Sequence, residues 1–332
     1  MELALLKPMV LNGVIRELEA PQELQGVRLL PARPNPFASV EYDVTRGSRL
    51  MSKPNVPNAE AHIVPKLGVG RLNASYFYVR EKKVFEPTTL YWLRQPGTEN
   101  QKRAEAAVIA ELQDLNDRVT RFQEYCIWRG MFTGRIEINE PDVKASVDYG
   151  IADSHRPVFS GVNAWDYKDG SGVYTAPVRE QINAIKRLTS RDGGAQITDA
   201  WLNNTTMDML MRNQLFQGAF LSDRQKDAFL TTSTIPGLYG INWHEYDLHY
   251  GDDTGQLLPY IPDGVVVFIA SGGDPFVMFE GPTADFSADP NHLGRFAKTW
   301  QEQDPSARQA LVEMNFFPVL FKPDQVVYAK VF

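Results

Sequence analysis

Residues 98–130 read TENQKRAEAAVIAELQDLNDRVTRFQEYCIWRG, the most strongly periodic stretch of the chain. Residues 98–129 contain neither proline nor glycine, and apolar side chains recur at alternating intervals of four and three. This spacing places them along one face of an α-helix. The apolar face consists of Val108, Leu112, Leu115, Val119, Phe122 and Cys126. We therefore predict a single helix about 45 Å long, roughly twice the usual length.

The other face of this helix is charged. Thr98 and Gln101 have the spacing of a capping box, and Gly130 is expected to end the helix. The charged side chains, predicted to face solvent or a partner, are Glu111, Asp114, Asp117, Arg118, Arg121 and Glu124. A coiled coil is the alternative, but a single apolar face of about three heptads favours a helix packed on a sheet. Cys126 belongs to the apolar face and is interpreted as a small buried hydrophobic residue rather than a nucleophile.

The segment before the helix is rich in proline and in basic residues. Six prolines between Pro31 and Pro65 exclude a helix and favour an extended chain. Aromatic and β-branched residues predict strands at Asn73–Arg80 and Thr88–Leu93. Gly68–Gly70 lacks the third glycine of a dinucleotide fingerprint and is interpreted as a loop bend. This segment has no core of its own, so it is expected to lie on another surface.

The chain after the helix mixes helices and strands, which indicates the α+β class. Alternation predicts a strand at 135–148, with Ile136 and Ile138 on one face. A helix is predicted to begin near Pro177 and to bury Val178, Ile182, Ile185 and Leu188. Shorter helices are predicted at 205–212 and 223–230, and strands at 238–250, 257–261, 265–270 and 326–332.

Composition excludes several classes of protein. The 332 residues are 43% hydrophobic and 23% charged, which excludes a disordered chain and allows a sizeable core. One cysteine excludes a disulfide framework, and a net charge of −7 argues against a general nucleic-acid binder. The N-terminus lacks the pattern of a signal peptide, and the longest apolar run, Val265–Ala270, is too short to span a membrane. We expect a soluble, cytosolic protein.

Motifs that carry chemistry are scarce. The sequence has no P-loop, nucleophile elbow, HExxH, CxxC or EF-hand loop, and we expect neither cofactor nor catalysis. On a strand through 238–250, Glu245, Asp247 and His249 would share one face. A carboxylate–imidazole metal site is then possible, but a solvated strand face is favoured at about five to one.

Charge is distributed unevenly along the chain. Residues 44–95 contain nine basic and three acidic side chains, a net charge of +6. Residues 240–325 contain four basic and thirteen acidic side chains, a net charge of −9. Solvated faces would explain this pattern, but the proline-rich segment without a core favours assembly. We predict that the basic segment of one copy lies on the acidic body of the next.

The order of these parts resembles a tailed-phage major capsid protein of the Hong Kong 97-like fold, most closely the lambda-type phage major capsid protein E family. The resemblance covers most of the chain and depends on the succession of its parts rather than on any single motif. Besides the long helix, which continues into a strand ending VDYG, it is carried by PNPFASVEYD (34–43), VNAWDY (162–167), LPYIPDGVVVFI (258–269), DPSAR (304–308), PVL (318–320) and PDQVV (323–327).

This resemblance implies a domain organisation. It consists of an N-terminal arm (1–41), an E-loop hairpin (42–96), a P-domain (97–150 and 305–332) with a spine helix at 98–129, and an A-domain (151–304). The E-loop residues expected to contact another subunit are Arg71, Arg80, Lys82, Lys83, Tyr76, Tyr78 and Trp92.

The resemblance also implies a mechanical function. Copies would assemble in the cytoplasm of the bacterial host as pentamers and hexamers, and these would close into the icosahedral capsid of the virion around double-stranded DNA, bound without sequence specificity. Only 41 residues precede the hairpin, so a separate scaffolding protein is expected, with a portal and a decoration protein as further partners.

Two alternatives remain at this stage. An encapsulin-type nanocompartment shell has the same fold and would package cargo protein instead of DNA. A metal-dependent enzyme would be centred on residues 245–249.

Overall fold

The computed structural model describes residues 24–45, 69–85, 98–139, 144–219, 223–252, 254–270, 275–289, 292–304 and 306–332. The described helices are α1 (Gln25–Leu29), α2 (Thr98–Tyr125), α3 (Val178–Asp192), α4 (Asn204–Arg212), α5 (Gln214–Ala219) and α6 (Asp223–Thr232). The described strands are β1 (Ala32–Pro34), β2 (Val40–Thr45), β3 (Val69–Ala74), β4 (Phe77–Phe85), β5 (Arg135–Asn139), β6 (Lys144–Asp148), β7 (Ile197–Leu202), β8 (Thr234–Leu238), β9 (Ile241–Glu245), β10 (His249–Gly251), β11 (Leu257–Pro259), β12 (Val265–Ala270), β13 (Phe276–Glu280), β14 (Phe296–Gln303), β15 (Ser306–Leu320) and β16 (Val326–Lys330). Within these ranges no helix is both long and apolar enough to cross a membrane.

The chain divides into two compact units. Unit 1 comprises Met1–Glu41, Asn73–Ile127 and Val277–Val319. Unit 2 comprises Tyr42–Leu72, Trp128–Phe276 and Leu320–Phe332.

Unit 1 is built on a five-stranded sheet around β15. The main path of the sheet is β1-β13-β15-β14, and β4 also pairs with β15. Strand β14 runs antiparallel to the first half of β15, and β4 runs antiparallel to residues 308–316. Aromatic rings join α2 to this sheet, since the Phe77 ring lies 6.4 Å from that of Phe122 and 5.9 Å from that of Phe316. The predicted long helix, packed on a sheet, is therefore confirmed.

The apolar face of α2 lies against the core. Leu112, Leu115 and Val119 are buried, and Phe122 is half-buried. Val108 lies within α2, but its side chain falls outside the described part of the chain. These positions are the ones that the spacing of four and three selects.

The predicted end of the helix at Gly130 is wrong in detail. The α-helix gives way to a π-helix, Cys126–Met131, which includes the glycine. Cys126 is fully buried in that turn, and burial raises the pKa of its thiol. A Cβ atom added to Gly130 would lie 2.0 Å from Cγ1 of Ile136, so the glycine is needed for this close approach.

Unit 2 contains a second five-stranded sheet, in the order β16-β12-β7-β9-β8. Strand β12 is buried along its whole length and runs antiparallel to both β16 and β7, whereas β7 and β9 are parallel. Large aromatic rings fill the core: the Trp243 ring lies 5.9 Å from those of Phe216 and Phe268. Helix α3 buries Val178, Ile182 and Ile185, as its pattern predicts.

Two predicted strands before residue 150 are interrupted. The stretch 73–80 contains the end of β3 and the start of β4, with a break at Ser75–Tyr76. Within 135–148, β5 and β6 are separate strands that pair antiparallel. The predicted bend at Gly68–Gly70 is wrong at its last two residues, which belong to β3, while Gly68 falls outside the described residues. The predicted strand Thr88–Leu93 also lies outside them.

Candidate subunit interface

Strand β4 holds most of the residues that the sequence nominates for contacts between subunits. Because side chains alternate along a strand, Tyr78, Arg80 and Lys82 lie on one face and Lys83 lies on the other. The first three are exposed, and Lys83 is half-buried. Trp92 lies outside the described residues. The strand therefore presents one face to solvent and turns the other toward its own subunit.

Lys83 contacts the charged face of α2. Its ammonium group donates hydrogen bonds to Asp114 (2.7 Å) and to Glu111. The Lys83 hydrogen bond lowers the pKa of the Asp114 carboxyl, and hydrogen bonds to Asp114 and Glu111 raise the pKa of Lys83. These side chains are partly exposed, so each pair contributes about 0–1 kcal/mol. In the subunit, Lys83 attaches β4 to α2.

On the face of β4 opposite Lys83, Arg80 lies above a buried carboxylate. Its guanidinium is 3.4 Å from Glu313 and 3.3 Å from Asp285, and the Tyr78 hydroxyl donates a 3.0 Å hydrogen bond to Glu313. Desolvation and the hydrogen bond to Glu313 raise the pKa of Tyr78 to about 12. Arg80 and Tyr78 thus neutralise and solvate a carboxylate whose side chain is 1% exposed.

Asp285 is held by groups on two strands and on its own turn. One carboxylate oxygen accepts from Arg80 and Lys298, and the other accepts from the Ser287 backbone amide at 2.9 Å. Burial by itself would raise the pKa of Asp285, but the hydrogen bonds from Lys298 and Ser287 outweigh it and hold the pKa at about 2. The ionised carboxylate is therefore the form that stabilises unit 1.

We expect Asp285 to contribute an acid-sensitive part of the stability. Since its pKa is depressed from 3.8 to about 2, its contribution is complete above about pH 4 and is lost as the pH falls toward 2. A shift of this size corresponds to about 2 kcal/mol. Urea unfolding of native protein and Asp285→Asn should show that difference at pH 6 and almost none at pH 2.

The exposed Asp166→Asn serves as the control for this titration and should unfold like native protein throughout. A constant difference between native protein and Asp285→Asn from pH 6 to 2 would contradict the assignment.

Arg71, Tyr76 and Lys82 differ in how far they are available to a neighbour. Arg71 lies 3.6 Å from Asp43, with 74% of its side chain exposed, and Lys82 is exposed on β4. The Tyr76 ring packs against the backbone of Gly281, where an added Cβ atom would lie 2.8 Å from the ring. Arg71 and Lys82 are therefore the basic side chains that a second subunit can reach without breaking contacts to a buried carboxylate or to α2.

The sequence interpretation missed a buried polar stripe on α2. Asn116, Thr120 and Gln123 are buried and accept hydrogen bonds from the guanidinium of Arg295, at 2.7 Å for Thr120 and 2.8 Å for Gln123. Desolvation lowers the pKa of Arg295. Its guanidinium donates to three side-chain acceptors that one helix, α2, holds in place. The spacing of four and three among these polar residues was the available signal, because it repeats that of the apolar face beside it.

The expectation that Glu124 faces solvent or a partner is wrong. Its side chain is fully buried, and its two carboxylate oxygens each accept a 2.8 Å hydrogen bond, from the backbone amides of Gly26 and Val27. These amides belong to the first turn of α1, where backbone donors have no partner within the helix. Glu124 therefore attaches residues 25–29 to the long helix.

The metal hypothesis is wrong because the strand on which it depends is not continuous. Strand β9 ends at Glu245, residues 246–248 are not in a strand, and β10 begins at His249. The three side chains consequently do not share one strand face, and His249 Nδ1 lies 3.1 Å from the carbonyl oxygen of Asp247. In the part of the chain that the structure describes, no group of three or more His, Cys, Asp or Glu residues could hold a metal ion.

Comparison with solved structures identifies the fold. The fold matches a putative capsid protein of a prophage from Escherichia coli CFT073, with a TM-score of 0.71 and 13% identity over 98% of this chain and 99% of that one. It also matches a phage-related protein from Bordetella bronchiseptica RB50 (TM-score 0.57, 10% identity, 97% and 96% coverage) and the capsid of Ralstonia phage GP4 (TM-score 0.51, 10% identity, 91% and 86% coverage). At these identities the likeness concerns the fold, which is Hong Kong 97-like, as predicted.

The sequence itself then gives the family. The profile of phage major capsid protein E matches residues 9–331, and the chain belongs to that family. No curated protein matches it. The family assignment confirms the predicted resemblance and supports a phage capsid protein rather than the nanocompartment alternative.

Proposed function

We propose that this chain is the repeating subunit of an icosahedral capsid, in which pentamers and hexamers enclose packaged double-stranded DNA. The observation that carries this proposal is the family match along residues 9–331, which includes both compact units. The net charge of −7 fits a wall that does not bind phosphate tightly, because strong contacts would hinder packaging and release of the genome.

We propose regional roles as well: N-terminal arm 1–41, E-loop 42–96, P-domain 97–150 with 305–332, and A-domain mainly 151–304. Strand pairing favours two narrower boundaries. Strand β4 pairs with β15, which favours an E-loop ending before Phe77. Strands β13 and β14 belong to the sheet of β15, which favours an A-domain ending before Phe276.

The proposed partners follow from the same role. They are a separate scaffolding protein, a portal and a decoration protein, with assembly in the cytoplasm of the bacterial host. The mechanical role requires no catalytic group.

Negative-stain microscopy of the purified chain tests the proposal. We expect closed shells of regular diameter, formed above a threshold protein concentration, and DNA inside shells recovered from infected or induced cells. Small discrete particles at every concentration, also in infected or induced cells where the proposed scaffolding protein is present, would overturn the capsid function. Shells filled with a second protein instead of DNA would support a nanocompartment.

We further propose that residues 42–96, which on the narrower boundary are the E-loop followed by β4 and the segment up to the long helix, dock on a neighbouring subunit and that their positive charge accelerates docking. Arg80 and Lys83 also form contacts within their own subunit, so reversing them would confuse folding with assembly. The double variant Arg71→Glu/Lys82→Glu lowers the net charge of residues 44–95 from +6 to +2 and leaves those contacts in place. We expect several-fold slower shell formation by light scattering, with a smaller difference near 1 M salt, where screening shortens the range to about 3 Å.

Lys144→Glu, an exposed reversal on β6, is the matched control and should assemble at the native rate. Equal rates for native protein and the double variant at low salt would show that shape and apolar burial drive docking instead.

A further inference from the structure

The turn Asp285–Ala288, between β13 and β14, carries an unusually exposed aromatic ring. Phe286 has 110% of its reference surface exposed, the highest value for a large apolar side chain among the residues that the structure describes. Single exposed apolar residues are ordinary on protein surfaces. The case for a function therefore depends on how this ring is held.

Hydrogen bonds fix the turn itself. The Ala288 amide donates to the Asp285 carbonyl at 3.1 Å, which makes Phe286 the second residue of a four-residue turn. The Ser287 amide donates to the Asp285 carboxylate, so side chain and backbone close the same turn. Phe286 is consequently presented by a backbone with little freedom.

The chain on either side of the turn is also tied together. The Thr283 amide donates to the His292 carbonyl at 3.2 Å, and the Gly294 amide donates to the Gly281 carbonyl at 3.1 Å. Below the ring, the Asp285 carboxylate contacts Arg80 of β4 and Lys298 of β14. The turn is therefore attached to strands on both sides of β15 as well as to its own hairpin.

We propose that Phe286 is an anchor residue that buries against a second copy of this chain when the shell assembles. A turn whose backbone is already fixed loses little conformational entropy on binding, and an aromatic side chain adds only two torsion angles to be ordered. This inference rests on the proposed shell function and names one of its contacts.

We expect a second copy of this chain to contact Phe286, because a shell built from one protein brings the ring of one copy against the surface of another. The chain belongs to the family of phage major capsid protein E, and the proposed shell consists of many copies of it, so the surface that a ring can meet in the shell is that of another copy. The most exposed of the other large apolar side chains that the structure describes, each of which could receive the ring, are Phe37, Val158, Val162, Leu215, Leu230 and Leu257.

Phe286→Ser tests the anchor, with Ala284→Ser, an exposed position in the same loop, as the matched control. Because the ring is exposed in the subunit, the thermal unfolding temperature of the unassembled variant should equal that of native protein. The threshold concentration for shell formation should rise at least tenfold for Phe286→Ser, a change that corresponds to about 1.4 kcal/mol, because the buried ring is lost from each contact. It should stay unchanged for Ala284→Ser.

Photo-crosslinking identifies the partner. With p-benzoylphenylalanine in place of Phe286, irradiated shells of purified protein should yield a covalent product of two chains. If native protein forms shells and Phe286→Ser has the same threshold concentration, the inference is overturned and the proposed function is not. The same holds if the crosslinks join only residues of one chain. Failure of native subunits to form shells, both when purified and in infected or induced cells, would overturn the proposed function and the inference with it.

Discussion

Leu115→Asp is expected to yield insoluble protein. Leu115 is 1% exposed and lies at the centre of the apolar face of α2, between Leu112 and Val119. A carboxylate at this position loses its hydration without gaining a hydrogen-bond or ion-pair partner, which costs several kcal/mol. That loss is comparable to the whole free energy of unfolding of a typical domain, about 5–15 kcal/mol. The measurement is the soluble fraction after expression, followed by circular dichroism of any soluble protein.

Gln113→Asp is the control because it introduces the same carboxylate two residues away. Gln113 is exposed, so its replacement should change the free energy of unfolding by less than about 0.5 kcal/mol. Soluble, folded protein from Leu115→Asp would mean that the burial of this helix face is wrong. Insolubility of both variants would mean that the helix tolerates no new acid, whatever face it is on.

The spacing of apolar residues predicted α2 well because a helix repeats its contacts every three or four residues. Leu112, Leu115 and Val119 are buried by one surface, and nothing distant is needed to recognise the pattern. Helix α3 was predictable for the same reason. The family resemblance came from the succession of such segments, each of them readable locally.

Strand β15 shows what this approach cannot reach. Nearly all of its described side chains are buried, the polar Gln309 and Glu313 among them, so a polar residue on this strand does not mark a solvent face. Its pairing with β4 joins residues more than 200 positions apart, such as Arg80 and Glu313. The acidic charge of Glu313 therefore counted as surface charge in the sequence, although Arg80 and Tyr78 hold it in a buried place.

The metal hypothesis failed for a related reason. Alternation across 238–250 is compatible with one long strand, and only the structure shows the chain leaving its sheet after Glu245. In both cases the local sequence pattern is present, but strand pairing between distant residues determines whether the side chains are buried and which face they share.

Of the residues that the sequence analysis placed wrongly, Glu124 is the one with the largest expected effect on stability. Its two acceptor bonds go to amides 98 and 97 residues earlier in the sequence, so helical spacing could not indicate them. A buried carboxylate that accepts from two backbone amides at 2.8 Å makes charge-assisted hydrogen bonds, which contribute about 1.5–3 kcal/mol. It also fixes α1, which at five residues is too short to be stable by itself.

We therefore expect Glu124→Gln to lower the free energy of unfolding by about 2–3 kcal/mol, because the amide offers one acceptor and turns a donor toward a backbone N–H. Residues 24–30 should then become a site of rapid proteolysis in a subunit that otherwise remains folded, measured by limited digestion and mass spectrometry. Glu111→Gln is the matched control, since it removes the same charge from the same helix at a partly exposed ion pair with Lys83. Its effect should stay below about 1 kcal/mol and leave residues 24–30 protected. Equal stability losses and equal digestion for the two variants would show that Glu124 acts only through the net charge of α2, and not through the two amides that it binds.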